Sequence, residues 1–508
     1  MDEDTTMTAP MRWTLTVPEP MAARLHRHLF PGDHDEHGAV LLAGVARRGN
    51  TLRLLARELY LAEDGRDYVA GQRGYRMLRG EFIRDHILRA RDERLVYLAI
   101  HNHVGKGSVG FSGDDLASQR RGYPALLDIT NGLPVGALVF AEDAIAGNLW
   151  FSPTQRLEMD EAQIIGVRRV VRTASPRARS FVPDKSYDRQ SRIFGDAGQA
   201  LLKSLTVGVI GVGGLGTLLV EYLARLGVGR LVVADPDRVA ITNLPRLPHA
   251  TRFDARTFLT AANRPAWMRR LGAKLAVRKV DLAARICRRA NPFMDVVPIF
   301  GDVTDATVAD AFLDCDYLFL AADSMQARLV FNAIVFQYGI PGCQVGSKVV
   351  TDKNTGAVLD VFSVVRPVVP ERGCLMCNEL ISGAKLQEEA LSTEDRQRQR
   401  YVDDPAVIAP SVITLNAVAA AHAANDFLFS MTGLTLPSAT ADYQRFLPRE
   451  RSIVDEDVQQ RRACSECGLA DHSRFARGDA RRLPTRMPRG KEVKGNGQET
   501  SQSRQAVV

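Results

Sequence analysis

The chain has 508 residues, a formal charge of +7, 45% apolar residues and 25% charged ones. That length exceeds one hydrophobic core, so two or three domains are expected, and the ordinary composition excludes a disordered or fibrous chain. No run of eighteen apolar residues occurs and the N-terminus is acidic, which reads as a cytoplasmic protein without a membrane span; much of the surplus arginine lies in the linker and beyond Arg461 without interleaved aromatics, so no nucleic-acid partner is expected.

In the first 151 residues, short apolar runs at 39–43, 51–55, 95–100 and 136–140 alternate with turn signals, the pattern of a small α/β domain over 11–160. The run at 95–100 leads into His101-Asn-His103, and a glycine-rich loop follows before Ser112-Gly-Asp114-Asp115. Two imidazoles and a carboxylate, from Asp114 or Asp115, supply three ligands and leave a fourth position for water, as in a catalytic zinc site. These residues resemble the JAMM (JAB/MPN) metalloprotease motif, whose S-x-x-D phase selects Asp115. The loop is one residue longer than the family pattern, and Val104 stands where a proline is usual. The resemblance implies a JAB/MPN-like fold with zinc on His101, His103 and Asp115. It also implies Ser112 as the oxyanion-stabilising group and Glu36 as the general base. His34 and His37 beside Glu36 are expected as exposed loop residues.

Residues 161–185, Pro-, Arg- and Ser-rich from 174, read as a linker. A second domain over 186–472 alternates strands at 205–210, 230–234, 295–299 and 317–321 with helices, including 215–226 and a long one ending before Asn291-Pro292. That succession predicts a Rossmann-like, doubly wound parallel sheet. Its first strand runs into Gly211-Val-Gly213-Gly214-Leu-Gly216 and a helix, a turn that brings backbone N–H groups to the phosphates of NAD, FAD or ATP. The next strand ends in Asp235, followed on one loop by Asp237, Asn243 and Arg246, a set suited to a ribose and a triphosphate.

The run from Asp235 to Arg246 resembles the D-x-D-x-V-x-x-x-N-L-x-R pattern of the ThiF/MoeB/ubiquitin-activating superfamily, and Tyr187-Asp-Arg189-Gln190 stands where that family has its upstream R-Y-x-R-Q segment. The resemblance implies an adenylyltransferase holding ATP and magnesium. Asp235 is then at the ribose, Asn243 and Arg246 at the phosphates, Asp323 at the metal-bound phosphates, and Arg189 reaches the site from the partner of a homodimer. The family lysine is Lys279 or Lys274, and Lys279 has the better distance to Asn291-Pro292.

Cys374-Leu-Met-Cys377 and Cys464-Ser-Glu-Cys467 make a four-thiolate set suited to a closed structural zinc site. No cysteine lies between the pairs, and the stretch around 401–411 offers Asp403, Asp404 and Ser411 but no thiol. The chain therefore looks like the family members that stop at the acyl-adenylate. Cys343 reads as a buried strand residue, and 473–508 as a disordered basic tail.

Together these readings describe ATP-dependent adenylation of the C-terminal carboxylate of a ubiquitin-like or sulfur-carrier protein, coupled in one chain to a zinc isopeptidase that trims or removes such proteins. The competing readings are an NAD(P)-dependent oxidoreductase with an accessory metal domain and a non-catalytic scaffold with relic sites.

Overall fold

A computed structural model describes residues 11–70, 76–176, 182, 184–352, 355–390 and 410–486. The first domain is built on nine strands: β1 (Arg12–Pro18), β2 (Gly38–Arg48), β3 (Thr51–Leu61), β4 (Val96–Asn102), β5 (Val135–Phe140), β6 (Ile145–Trp150), β7 (Arg156–Glu158), β8 (Glu161–Ile165) and β9 (Arg169–Arg172). They form one sheet in the order β7-β6-β5-β4-β2-β3-β1-β8-β9. Side chains of a strand alternate between faces, so β2 sends Ala39, Leu41 and Ala43 to one core and Val40 and Leu42 to another. The helix Glu19–Leu29 closes the first core with Met21, Leu25 and Leu29. Helices Gly80–Glu93 and Gly113–Ile129 close the second with Phe82, Ile87, Tyr123 and Leu127.

The sheet takes in residues expected in the linker. β8 pairs in parallel with β1, and β9 pairs with β8, so the domain continues to Arg172. The period of this stretch is too short and too polar to stand out, and only its pairing with β1 makes it a strand. Beyond it, Ala174 accepts a hydrogen bond from the Val109 amide at 2.8 Å, which ties the exiting chain to the loop after His103.

The second domain carries β10 (Thr206–Ile210), β11 (Arg230–Ala234), β12 (Asp295–Ile299), β13 (Tyr317–Leu320), β14 (Gly342–Thr351), β15 (Val358–Val368), β16 (Tyr443–Leu447) and β17 (Ser452–Glu456). Their order is β12-β11-β10-β13-β14-β15-β16-β17, with β10 to β14 parallel and the rest antiparallel. Helices Gly214–Leu226, Lys279–Ala290 and Ile413–Thr432 pack on one face, and Met325–Tyr338 on the other. From β10 the chain turns first toward β11 and later toward β13, and the crevice beyond the carboxyl ends of these strands is where such folds bind ligands.

The two domains share a core. Ala46 and Leu55 of the first sheet join the cluster that includes Phe336 and Tyr338. The Arg53 guanidinium donates to the carbonyls of Leu313 and Tyr338, both at 3.0 Å. Arg57, 1% exposed, donates to the carbonyls of Ala470 and Phe475. Residues 473–486, expected in a disordered tail, are instead folded between the domains, with Ser473, Arg474, Phe475 and Ala476 buried. Their composition hid this because the segment is held chiefly through backbone groups and a few side chains. The remainder of the expected tail lies outside the described residues.

Candidate functional site

β10 ends at Ile210, and the chain turns at Gly211 with φ +89°. A Cβ there would stand 2.8 Å from the Ala322 nitrogen, and one on Gly216 would stand 1.9 Å from the Gly211 oxygen, so both positions require glycine. A Cβ on Gly214 would meet Asn416 Nδ2 at 2.7 Å, whereas Gly213 faces open space. The turn delivers the chain into helix Gly214–Leu226, whose N-terminus points at a cavity of about 540 Å³. That volume lies in the range of about 300–1,000 Å³ usual for small-ligand sites.

Asp235 anchors the cavity mouth. Its carboxylate accepts from the Val212 and Asp237 amides, both at 2.9 Å. Burial pushes its pKa up, and the Lys279 ammonium at 3.6 Å works against that rise. Lys279 Nζ also lies 2.7 Å from Asp237 Oδ2. Arg246 and Asp323 line the same cavity, Asp323 just past the end of β13 and one residue before Ser324, which caps helix Met325–Tyr338 by accepting from the Ala327 amide at 3.1 Å.

The four cysteines converge on one another, and none of them lines the cavity. Cys374 Sγ is 3.7 Å from Cys464 Sγ, and Cys377 Sγ is 3.5 Å from Cys467 Sγ. Four sulfurs about 2.3 Å from a tetrahedral zinc stand about 3.8 Å apart, so the set fits that ion. The Arg461 and Glu466 amides donate to Cys377 and Cys464 at 3.5 and 3.4 Å.

In the first domain β4 ends in His101 and His103, and the capping box of helix Gly113–Ile129 brings Asp115 opposite them. His101 and His103 Nε2 lie 3.4 and 3.5 Å from the Asp115 carboxylate, and the ligand atoms of all three residues are within 4.8 Å of one another. Glu36 Oε1 is 3.9 Å from His103 Nε2. Two imidazoles and one carboxylate make a donor set for zinc with a place left open. Burial opposes the Asp115 charge, but hydrogen bonds from both histidines and Ser112 outweigh it and hold the carboxyl far below the usual range. Burial raises the Glu36 pKa. Ser112 Oγ caps the helix, accepting from the Asp115 amide at 3.1 Å and donating to Asp115 Oδ2 at 2.7 Å. His37 is not the exposed residue expected: it is buried, with Nε2 2.9 Å from Asp33 Oδ1.

A sequence model of the ThiF family matches residues 187–465, more than half of the chain. The chain belongs to the ThiF family. The Bacillus subtilis (strain 168) sulfur carrier protein ThiS adenylyltransferase is 28% identical over 290 residues, covering 56% of this chain and 72% of that protein. The SAMP-activating enzyme E1 of Haloferax volcanii is 29% identical over 183 residues, covering 36% and 56%. The molybdopterin-synthase adenylyltransferase of Escherichia coli (strain K12) is 31% identical over 157 residues, covering 30% and 55%. The chain thus spans little more than half the length of these last two relatives.

Within the ThiF domain the expected residues part into two groups. Gly211, Gly213, Gly214, Asp235, Asp237, Arg246, Lys279 and Asp323 border the cavity. Asn243 does not: its Oδ1 accepts from the Ala240 amide at 3.1 Å and shapes the loop instead. Arg189, exposed at the start of helix Asp188–Ser204, and Lys274, exposed on helix Ala266–Leu275, do not line it either. Ser347 and Asn416, which sequence reading passed over, border the cavity and bond to each other at 2.6 Å. No spacing signal marks them, because β14 and helix Ile413–Thr432 meet only in the fold. Cys343 is fully buried on β14, and burial pushes its thiol well above its ordinary pKa, which disfavours the thiolate a nucleophile needs. Asp403 and Asp404 lie outside the described residues, whereas Ser411 lines the cavity.

Proposed function

We propose that the chain adenylates the C-terminal carboxylate of a ubiquitin-like or sulfur-carrier protein with ATP, and that its first domain is a JAMM-type zinc peptidase that trims or releases such proteins. The convergence of Asp235, Arg246, Lys279 and Asp323 on one cavity beside a glycine turn carries the first half of this reading. Asp235 fits the ribose hydroxyls as acceptor, while Arg246 and Lys279 supply cations for charge that develops as the substrate carboxylate attacks the α-phosphate and pyrophosphate leaves. Asp323 fits the magnesium that accompanies the phosphates. Arg189 completes the cation set only from a second copy, which makes the working form a homodimer.

For the first domain the supporting observation is the grouping of His101, His103 and Asp115 with Glu36 beside them. A zinc ion held there supplies Lewis acidity to a water and to the scissile carbonyl. Glu36 takes the proton of the attacking water and passes it to the leaving amine. Ser112 is assigned the oxyanion-stabilising role, for which its hydroxyl would have to turn from Asp115 Oδ2, to which it donates in the structure, toward the developing oxyanion.

ATP–pyrophosphate exchange with candidate proteins ending in Gly-Gly tests the adenylation half. Exchange that depends on the added protein and disappears in Asp323→Ala is the expected result, and its absence with every carrier and with a short Gly-Gly peptide overturns the reading.

A further inference from the structure

Between Arg246 and Lys279 the chain builds a surface that the adenylation chemistry does not use. Helix Ala266–Leu275 rests on the short helix Thr257–Thr260 through Gly272, where a Cβ would stand 2.6 Å from Leu259 Cβ. With that face occupied, Trp267, Leu271 and Leu275, at i, i+4 and i+8, are left 64%, 43% and 51% exposed. A single exposed apolar residue is ordinary, whereas an aligned stripe marks an interaction surface.

The same segment is strongly cationic. Residues 246–279 hold nine lysines and arginines against one acid, a net charge of +8 where the whole chain has +7. The one acid, Asp254, is already paired with Arg285 at 2.8 and 2.9 Å. Both ends of the segment, Arg246 and Lys279, line the nucleotide cavity.

We propose that the Trp267/Leu271/Leu275 stripe with its cationic surround is the docking surface for an acidic protein whose carboxyl terminus enters the nucleotide cavity. This rests on the adenylation reading, which needs a macromolecular carboxylate at that place. A second copy of the chain is disfavoured as occupant, since like charges would meet across the contact. Of the stripe only Trp267 offers a base a stacking face, Leu271 and Leu275 offer none, and the Phe253 ring already carries the Arg256 guanidinium 4.2 Å from its centroid, which favours protein over nucleic acid.

The test is exchange kinetics with two probes, an acidic ubiquitin-fold carrier of the ThiS type ending in Gly-Gly and a short Gly-Gly peptide. The variants are Trp267→Ala/Leu271→Ala and, as a surface change that spares the packing, Arg270→Glu. Docking predicts that KM for the carrier rises at least tenfold in both variants, while KM for ATP and for the peptide stays unchanged. An unchanged carrier KM, or wild-type exchange with the peptide but not the carrier, overturns the docking surface and leaves adenylation standing. Exchange with neither probe overturns the adenylation reading itself. Binding to anionic vesicles or to a single-stranded oligonucleotide that these variants abolish, with carrier KM unmoved, overturns the proposal and transfers the surface to that ligand.

Discussion

Lys279 Nζ sits 2.7 Å from Asp237 Oδ2 at the rim of the nucleotide cavity, while Lys274, five residues earlier, is exposed outside it. A hydrogen bond to a charged group contributes about 1.5–3 kcal/mol. Lys279→Ala should therefore weaken ATP binding by about tenfold or more. Lys274→Ala should leave it unchanged in a calorimetric titration. Equal losses in both variants would show that the cavity lysine is not the one that meets the phosphates.

Metal content separates the two candidate zinc sites. The wild-type chain should bind two zinc ions, and His103→Ala should retain one, because the four-cysteine set shares no residue with the histidine pair. Cys377→Ser should lose the other ion together with global stability. One zinc in wild type and one in His103→Ala would contradict the first-domain site.

Asp254 accepts both guanidinium hydrogen bonds of Arg285 and two more from Thr251, and although burial opposes its charge these bonds hold its pKa at about 2. The folded value is below the unfolded one, so the pair stabilises fully above about pH 4 and its contribution is lost as pH falls toward 2. Asp254→Asn should cost about 1–3 kcal/mol at neutral pH. Denaturant melts should show the gap between wild type and variant constant from pH 7 to pH 5 and shrinking below pH 4.

Arg57→Ala removes a buried guanidinium from the carbonyls of Ala470 and Phe475. Two unsatisfied acceptors and a void should cost about 2–4 kcal/mol. Trypsin should then cut within 470–486 sooner than in wild type. A melting temperature within a degree of wild type would show that this contact is dispensable.

Much of the second domain was legible in its sequence. β10, β11 and β13 run on into Gly211, Asp235 and Asp323, so local spacing brought these expected residues to the same edge. Asn243 has a loop-shaping contact that its sequence context does not announce, because only the fold brings its Oδ1 to the Ala240 amide. Asn416 and Ser347 were missed because their juxtaposition spans 69 residues and depends on the antiparallel half of the sheet. Arg57 reads as an ordinary strand arginine, and nothing near it announces acceptors 413 and 418 residues away.

That separation bears on how the chain comes into being. The first domain leaves the ribosome with Ala46 and Leu55 uncovered and the Arg57 guanidinium without its Ala470 and Phe475 acceptors, which arrive only after most of the ThiF domain is translated. A nascent chain stalled at residue 176 should recruit chaperones, and the two halves, expressed as separate polypeptides, should have to find each other to become soluble.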